Sequence, residues 1–144
     1  MDPNVIEATV EEIRETYGSG LRNALMVIGL APERSNADGV LWLRSAVPDA
    51  TQLERQLRQL TDYCETNDLT PRLAVVGGGI SGVAPIELRP DLAVVREAAW
   101  EGCTWVAVVD AQRISRSAVE GASALALLRE RHMRVVGPWV VSTE

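Results

Sequence analysis

The sequence has 144 residues and a mass of 15.6 kDa, which suits one folded unit and leaves no room for a second. Hydrophobic residues make up 47% and charged residues 24%, a globular composition that excludes disorder over most of the length. A formal charge of -6 at pH 7 excludes general electrostatic attraction to nucleic acid, so any DNA contact must be local.

In chain order, residues 3 to 17 place Val5, Ile6, Val10, Ile13 and Tyr17 near helical spacing. Asp2 stands as N-cap before Pro3, Gly18 and Gly20 supply the stop, and a first helix is predicted. The stretch Leu21 to Ala31 fits a helix or a buried strand, and periodicity does not separate them; a second helix is the expectation. Pro32 to Gly39 reads as a polar linker. Residues 1 to 38 are thus expected to form an N-terminal helical extension and residues 39 to 144 the main domain. The run Val40-Leu41-Trp42-Leu43 predicts the first strand.

Asp49 or Thr51 can cap the next helix, with Thr51 and Glu54 at capping-box spacing. Its apolar face is Leu53, Leu57, Leu60 and Cys64, and it should end near Asn67. There follow a strand at Leu73 to Val76, a glycine-rich loop at 77 to 82, a helix from Pro90 to Trp100 and a strand at Trp105 to Val109. A helix over Ala118 to His132 and a strand at Val135-Val136 complete the order. Strands alternating with helices from residue 40 onward predict an α/β fold, with a mostly parallel central sheet flanked by helices.

All 14 basic residues are arginines, and their placement is uneven. Residues 1 to 39 hold seven acids against three arginines, whereas 110 to 144 hold five arginines against four acids, so the C-terminal third is the better place to meet an anion. Cys64 and Cys103 lie far apart in apolar surroundings without metal-ligand spacing, which predicts buried thiols in a reducing compartment and no metal. No apolar run approaches the roughly 20 residues that span a bilayer, and the acidic start lacks signal-peptide order, so a cytoplasmic location is expected.

The segment Gly77-Gly78-Gly79-Ile80-Ser81-Gly82 follows a predicted strand and satisfies the G-x-G-x-x-G pattern, resembling the fingerprint of flavin oxidases. Read alone it would bind a flavin or another dinucleotide. That pattern needs a helix opening near Ser81, and Pro85 and Pro90 oppose one at a cost of about 3 kcal/mol for a proline in a helix interior. No acid ends a following strand at the distance that holds a ribose. The expectation is no cofactor.

A second reading takes in a larger part of the chain. Leu41-Trp42-Leu43-Arg44, Leu53-Glu54-Arg55-Gln56, Gly79-Ile80-Ser81-Gly82, Arg89-Pro90-Asp91-Leu92 and Arg113-Ile114-Ser115-Arg116-Ser117 occur in an order and spacing that resemble the serine recombinases, the resolvase and invertase family, over residues 40 to 137. In that family a strand ending R-x-S, an S-L-E-R-Q helix, a G-V-S-G loop, an R-P-x-L helix start and a D-R-L-S-R-S segment follow one another. A serine hydroxyl attacks a DNA phosphodiester there, and arginines stabilise the charge gathering on the phosphate. The resemblance implies catalytic roles for Arg44, Ser45, Ser81, Arg113 and Arg116 and a phosphate-binding role for Arg89, and it matches Gln56 to the glutamine of the first helix.

The departures from the family pattern shape the functional expectation. Arg44 is followed by Ser45 and then Ala46, so a serine stands one residue after the arginine instead of two. Because a strand alternates faces, Ser45 should point away from the expected nucleophile side unless the strand bulges. Gln112 replaces the acid before the first arginine of D-R-L-S-R, Gly77 replaces the aspartate of D-x-G-V-S-G, and Asp110 is two residues off. Active relatives continue beyond the last strand into a long helix that supports dimers and grips DNA, while this sequence stops at Glu144, seven residues past Gly137. A catalytically impaired domain acting through a protein partner or homo-oligomer is therefore expected, with weak DNA binding by the isolated chain and no membrane association. The alternative from another class is an active strand-transfer or nicking enzyme that borrows a DNA-binding partner.

Overall fold

A computed structural model describes residues 2–20, 22–31 and 36–140. The elements are α1 (Pro3–Tyr17), β1 (Ala24–Gly29), β2 (Gly39–Ser45), α2 (Ala50–Thr66), β3 (Pro71–Gly78), a 3-10 turn (Ile86–Leu88), α3 (Pro90–Trp100), β4 (Trp105–Ala107), α4 (Ala111–Ile114), α5 (Ala118–Glu130) and β5 (Arg134–Val136). The five strands form one sheet in the order β1-β3-β2-β4-β5, with β1 antiparallel to β3 and every other pair parallel. This is the predicted α/β class with a mostly parallel sheet.

The prediction of a second helix over 21 to 31 is wrong. Ala24 to Gly29 is an edge strand paired from Ala24↔Gly78 to Gly29↔Leu73. Its apolar run suits either state, and the open edge of β3 decides between them by offering ladder partners. Residues 32–35 of the predicted linker lie outside the described residues.

Local chemistry accounts for the helices. Asp2 accepts from the Asn4 amide and Pro3 opens α1, while Gly18 closes it. The Asp49 carboxylate caps α2 by accepting from the Thr51 and Gln52 amides, so the Thr51–Glu54 capping box is not used. Glu54 instead pairs with Arg14 of α1 and with Arg58, and Arg58 also reaches Glu7. These exposed pairs add little, typically below about 1 kcal/mol each. What joins α1 to the domain is apolar: Val10, Ile13 and Tyr17 are buried with Leu53, Leu57 and Leu60 of α2 against Leu41, Leu43 and Val76 of the sheet. Burying each such side chain contributes about 1.5–3 kcal/mol.

The opposite face carries a second core in which Leu92, Val95 and Ala98 of α3 and Ala124 and Leu128 of α5 cover Val40, Trp42, Val75 and Val106. All seven residues of β2 are buried, as expected for a central strand covered on both faces. Gly39 is required at its start, because a Cβ there would fall within the Trp105 indole of β4. Among the described residues no helix is long and apolar enough to cross a membrane, and no cluster of three potential metal ligands occurs.

Candidate functional site

In parallel α/β sheets the crevice beyond the carboxyl ends of the strands gathers functional side chains. Here that edge is built by the end of β2 (Arg44, Ser45), the loop after β3 (Gly79 to Ala84) and the segment after β4 (Asp110 to Ser117). Alternation along β2 sends Val40 and Trp42 to the α3/α5 side and Leu41 and Leu43 to the α1/α2 side. The only register irregularity of β2 against β3 lies between Gly39 and Val40, so no bulge brings Ser45 round. Ser45 is fully buried, and its hydroxyl donates to the Val47 carbonyl. Its own carbonyl accepts from the Gly79 and Ile80 amides at 2.9 and 3.1 Å, pinning the glycine loop to the strand end.

Arg44 emerges on the other face and is 3% exposed. Its Nε donates to the Arg113 carbonyl (2.7 Å), one terminal nitrogen to Ile80 (2.8 Å) and the other to Gln112 (3.0 Å). Burial, and then the neighbouring Arg89 charge, bring Arg44 down to about 10, with Asp91 opposing and Arg113 and Arg116 adding to the fall. The residue stays charged at neutral pH. Behind it, Gln56 of α2 accepts from the Arg44 amide and donates to the Arg44 carbonyl (3.1 and 2.8 Å). The β4 ladder on β2 ends at Leu41, and the Gln56 side chain supplies a partner three residues further on.

Arg89, expected as a phosphate ligand, is engaged in a buried ion pair. Its side chain and that of Asp91 are both 0% exposed, and they pair through two bonds, Nε to Oδ1 at 2.9 Å and Nη2 to Oδ2 at 2.6 Å. The remaining terminal nitrogen donates to the Ile114 carbonyl. Trp42 Nε1 also donates to Asp91 Oδ2 at 2.9 Å, and the Arg89 guanidinium lies 5.8 Å from the Trp42 ring centroid. A guanidinium held in this way has no face open to a solvent-borne anion. The pairing has a local cause: Asp91 sits in the first turn of α3, two residues from Arg89, on the same buried side.

Arg44 and Arg89 together complete a pattern invisible in the sequence. The one-turn helix α4 leaves its last carbonyls without intrahelical partners. Gln112 and Arg113 present theirs to Arg44, and Ile114 presents its own to Arg89. Cations at a helix C-terminus are also favoured by its partial negative charge. Asp110 caps the other end of α4 by accepting from the Arg113 amide.

Arg113 and Arg116 make no side-chain hydrogen bond among the described residues. Arg113 is half-buried, with its Nε buried and unpartnered; Arg116 is exposed. Neither side chain is hydrogen-bonded to a serine among the described residues. Gly82 joins Arg116 to Arg44: a Cβ there would lie 2.7 Å from Arg116 Cγ and 2.9 Å from an Arg44 terminal nitrogen. The Gly82 carbonyl accepts from the Arg116 amide (2.8 Å) and from Ser115 Oγ (3.1 Å), which ties the two loops together. Ser81 is exposed, and its Oγ accepts from the Val83 amide at 3.2 Å. The structure therefore brings Arg44 and Arg116 together at Gly82, ties the Arg113 carbonyl to Arg44, and directs Ser45 and Arg89 elsewhere.

The glycine loop does not fit a dinucleotide. Residues 79–85 form no helix, and the first helical turn after them is the short 3-10 segment at Ile86–Leu88. The sides on which the glycines lack a Cβ are filled by Ile80 at Gly77, Tyr17 at Gly78, Asn23 at Gly79, and Arg116 with Arg44 at Gly82. No open cradle remains for a pyrophosphate.

With this geometry in place, the family profile described as "Resolvase, N terminal domain" matches residues 40–137, well over half of the chain. The chain belongs to that resolvase family. No curated protein matches it significantly. Among solved structures, the resolvase domain is similar to the C-terminal catalytic domain of ISC1926 TnpA, an IS607-like serine recombinase, with 17% identity, TM-score 0.61 and 72% of each chain covered. It is also similar to the corresponding domain of IS1535 TnpA, with 25% identity, TM-score 0.55 and 68% of each covered. A serine recombinase from Sulfolobus solfataricus matches at 14% identity and TM-score 0.52, over 76% of this chain and 71% of that one. The resolvase match excludes α1 and β1, which the structure nevertheless builds into the same sheet and core.

Proposed function

We propose that this resolvase domain does not cleave DNA through Ser45 and instead acts as a protein-interaction or regulatory module in a DNA-related process. The observation that carries the reading is the direction of Ser45. Its hydroxyl is buried on the face of β2 opposite to the Arg44 side chain and is committed to the Val47 carbonyl. In-line attack needs the nucleophile within about 3 to 3.5 Å of phosphorus, and Ser45 has no path to a phosphate held by Arg113 and Arg116. Those two arginines keep the ability to hold one phosphate-like anion, because a guanidinium stays charged and binds two oxygens in parallel. Exposed Leu88, Trp100, Val119 and Trp139 offer apolar area to a protein partner or a second copy of the chain. The charge of -6 supports a protein partner over DNA, and DNA affinity of the isolated chain is expected at nonspecific strength, with Kd above about 1 μM at physiological salt.

A second reading is strand transfer by another serine, favoured by one observation: Ser81 is exposed beside Gly82, where Arg44 and Arg116 meet. Incubation with supercoiled plasmid, followed by denaturation without protease, separates the two. The expected outcome is no protein-linked nick from wild type, Ser45→Ala or Ser81→Ala, with Arg113→Ala and Arg116→Ala still folded. A covalent adduct abolished by Ser45→Ala would refute the proposal. An adduct that survives Ser45→Ala and disappears in Ser81→Ala would move the nucleophile to the glycine loop.

A further inference from the structure

Tyr17 lies outside the residues matched by the resolvase profile, yet it touches the loop that shapes the arginine site. It is 1% exposed at the end of α1. Its ring occupies the notch left by Gly78, where a Cβ would fall inside the ring's van der Waals envelope. Its hydroxyl donates to the Ala24 carbonyl, with the Val76 carbonyl at 3.4 Å, and accepts from the Gly78 amide at 3.4 Å. One residue along, the Asn23 side chain fills the corresponding space at Gly79, whose φ of +83° is a conformation that side chains disfavour. One contact comes from the last residue of α1 and the other from the residue before β1, and both press on the last glycines before Ile80 and Ser81.

The next links are short. The Gly79 and Ile80 amides are held by the Ser45 carbonyl, the Ile80 carbonyl receives Arg44, and Gly82 touches Arg44 and Arg116 while accepting the Arg116 amide. We propose that Tyr17 and Asn23 are positioning residues: the end of α1 and the residue before β1 clamp Gly78 and Gly79 and so set the spacing of Arg44 and Arg116 for an anion of phosphate chemistry. The anion part of this statement rests on the reading above, whereas the clamp stands on the contacts alone. The design couples a segment outside the family core to the site inside it, so whatever displaces α1 also loosens the arginine cluster.

Amide exchange and titration with inorganic phosphate on the full 15N-labelled chain test the clamp and the anion separately. In Tyr17→Leu, exchange at Gly79, Ile80 and Arg116 should rise about tenfold more than at the amides of β4 and α3, the size expected for losing one well-made set of contacts. Gly78→Ala should have the same local effect, and adding Tyr17→Leu to it should slow exchange again, because the smaller side chain admits the new methyl group. Such rescue is the coupling expected of two positions in direct contact. A uniform rise across the sheet, or additive effects without rescue, overturns the clamp. If Tyr17→Leu does not fold, Tyr17→Phe decides: faster exchange confined to Gly78 through Ile80 supports the clamp, and unchanged exchange overturns it. Phosphate should shift the Arg113 and Arg116 Nε–H signals of the wild type and shift them less in Gly78→Ala. Absence of any wild-type shift refutes the anion reading alone, since the exchange data judge the clamp without it.

Discussion

Replacing Asp91 is the sharpest test of the role the structure gives Arg89. Both side chains are 0% exposed, and the carboxylate receives two bonds from Arg89 and one from Trp42. In Asp91→Ala the guanidinium stays buried and charged with only the Ile114 carbonyl left to it, and the Trp42 indole loses its acceptor. Breaking one partner of a buried pair costs about 3–5 kcal/mol. Against a typical domain stability of about 5–15 kcal/mol this removes about a fifth or more of the total. Urea denaturation followed by tryptophan fluorescence measures the loss as a fall in midpoint at unchanged slope. The double change Arg89→Met with Asp91→Leu removes both charges at similar volume and should recover most of the stability. A loss below about 1 kcal/mol in Asp91→Ala, or an Arg89→Met protein of normal stability that has lost affinity for phosphate or DNA, would refute the structural assignment and return Arg89 to the anion site.

Two further outcomes are expected. Burial raises the Tyr17 phenol above its ordinary value near 10, with the Gly78 amide and Arg22 opposing. A folded-state value above the unfolded one gives stability that is fully present below pH 10 and is lost as pH rises through the folded value. Arg44, brought down to about 10, acts with the opposite sign in that window. The measured quantity is therefore the difference between wild type and Tyr17→Phe in denaturation midpoint at pH 8 and pH 11, and only the wild type should carry the Tyr17 loss; equal losses in both proteins would contradict the assignment. Ile13→Ala, at a fully buried contact of α1, should cost about 2–5 kcal/mol in the same assay, and an effect under about 1 kcal/mol would mean that α1 is not docked as described.

Local sequence signals determined the elements that depend on near neighbours. Asp49 and the Leu53, Leu57, Leu60, Cys64 stripe mark α2, Pro90 opens α3, Ser117 caps α5, and alternation along Val40 to Ser45 already places Ser45 across the strand from Arg44. The ordered motifs from Arg44 to Ser117 identified the family, because they report a common scaffold. Partners set by the folded chain were not legible. The run Ala24 to Ile28 has the same apolar content in a helix or a strand, and only the open edge of β3 makes it β1. An arginine next to a family motif reads equally well as an anion ligand or as one half of a buried pair. Arg44 finds its three carbonyls 36, 68 and 69 residues away, and Arg89 reaches Ile114 across 25. Tyr17 meets Gly78 across 61 residues, where the absence of a Cβ makes room for the ring. Spacing and caps act over a turn or a strand repeat, whereas a buried charge or a filled notch is chosen by whichever distant group the tertiary fold brings within bonding distance.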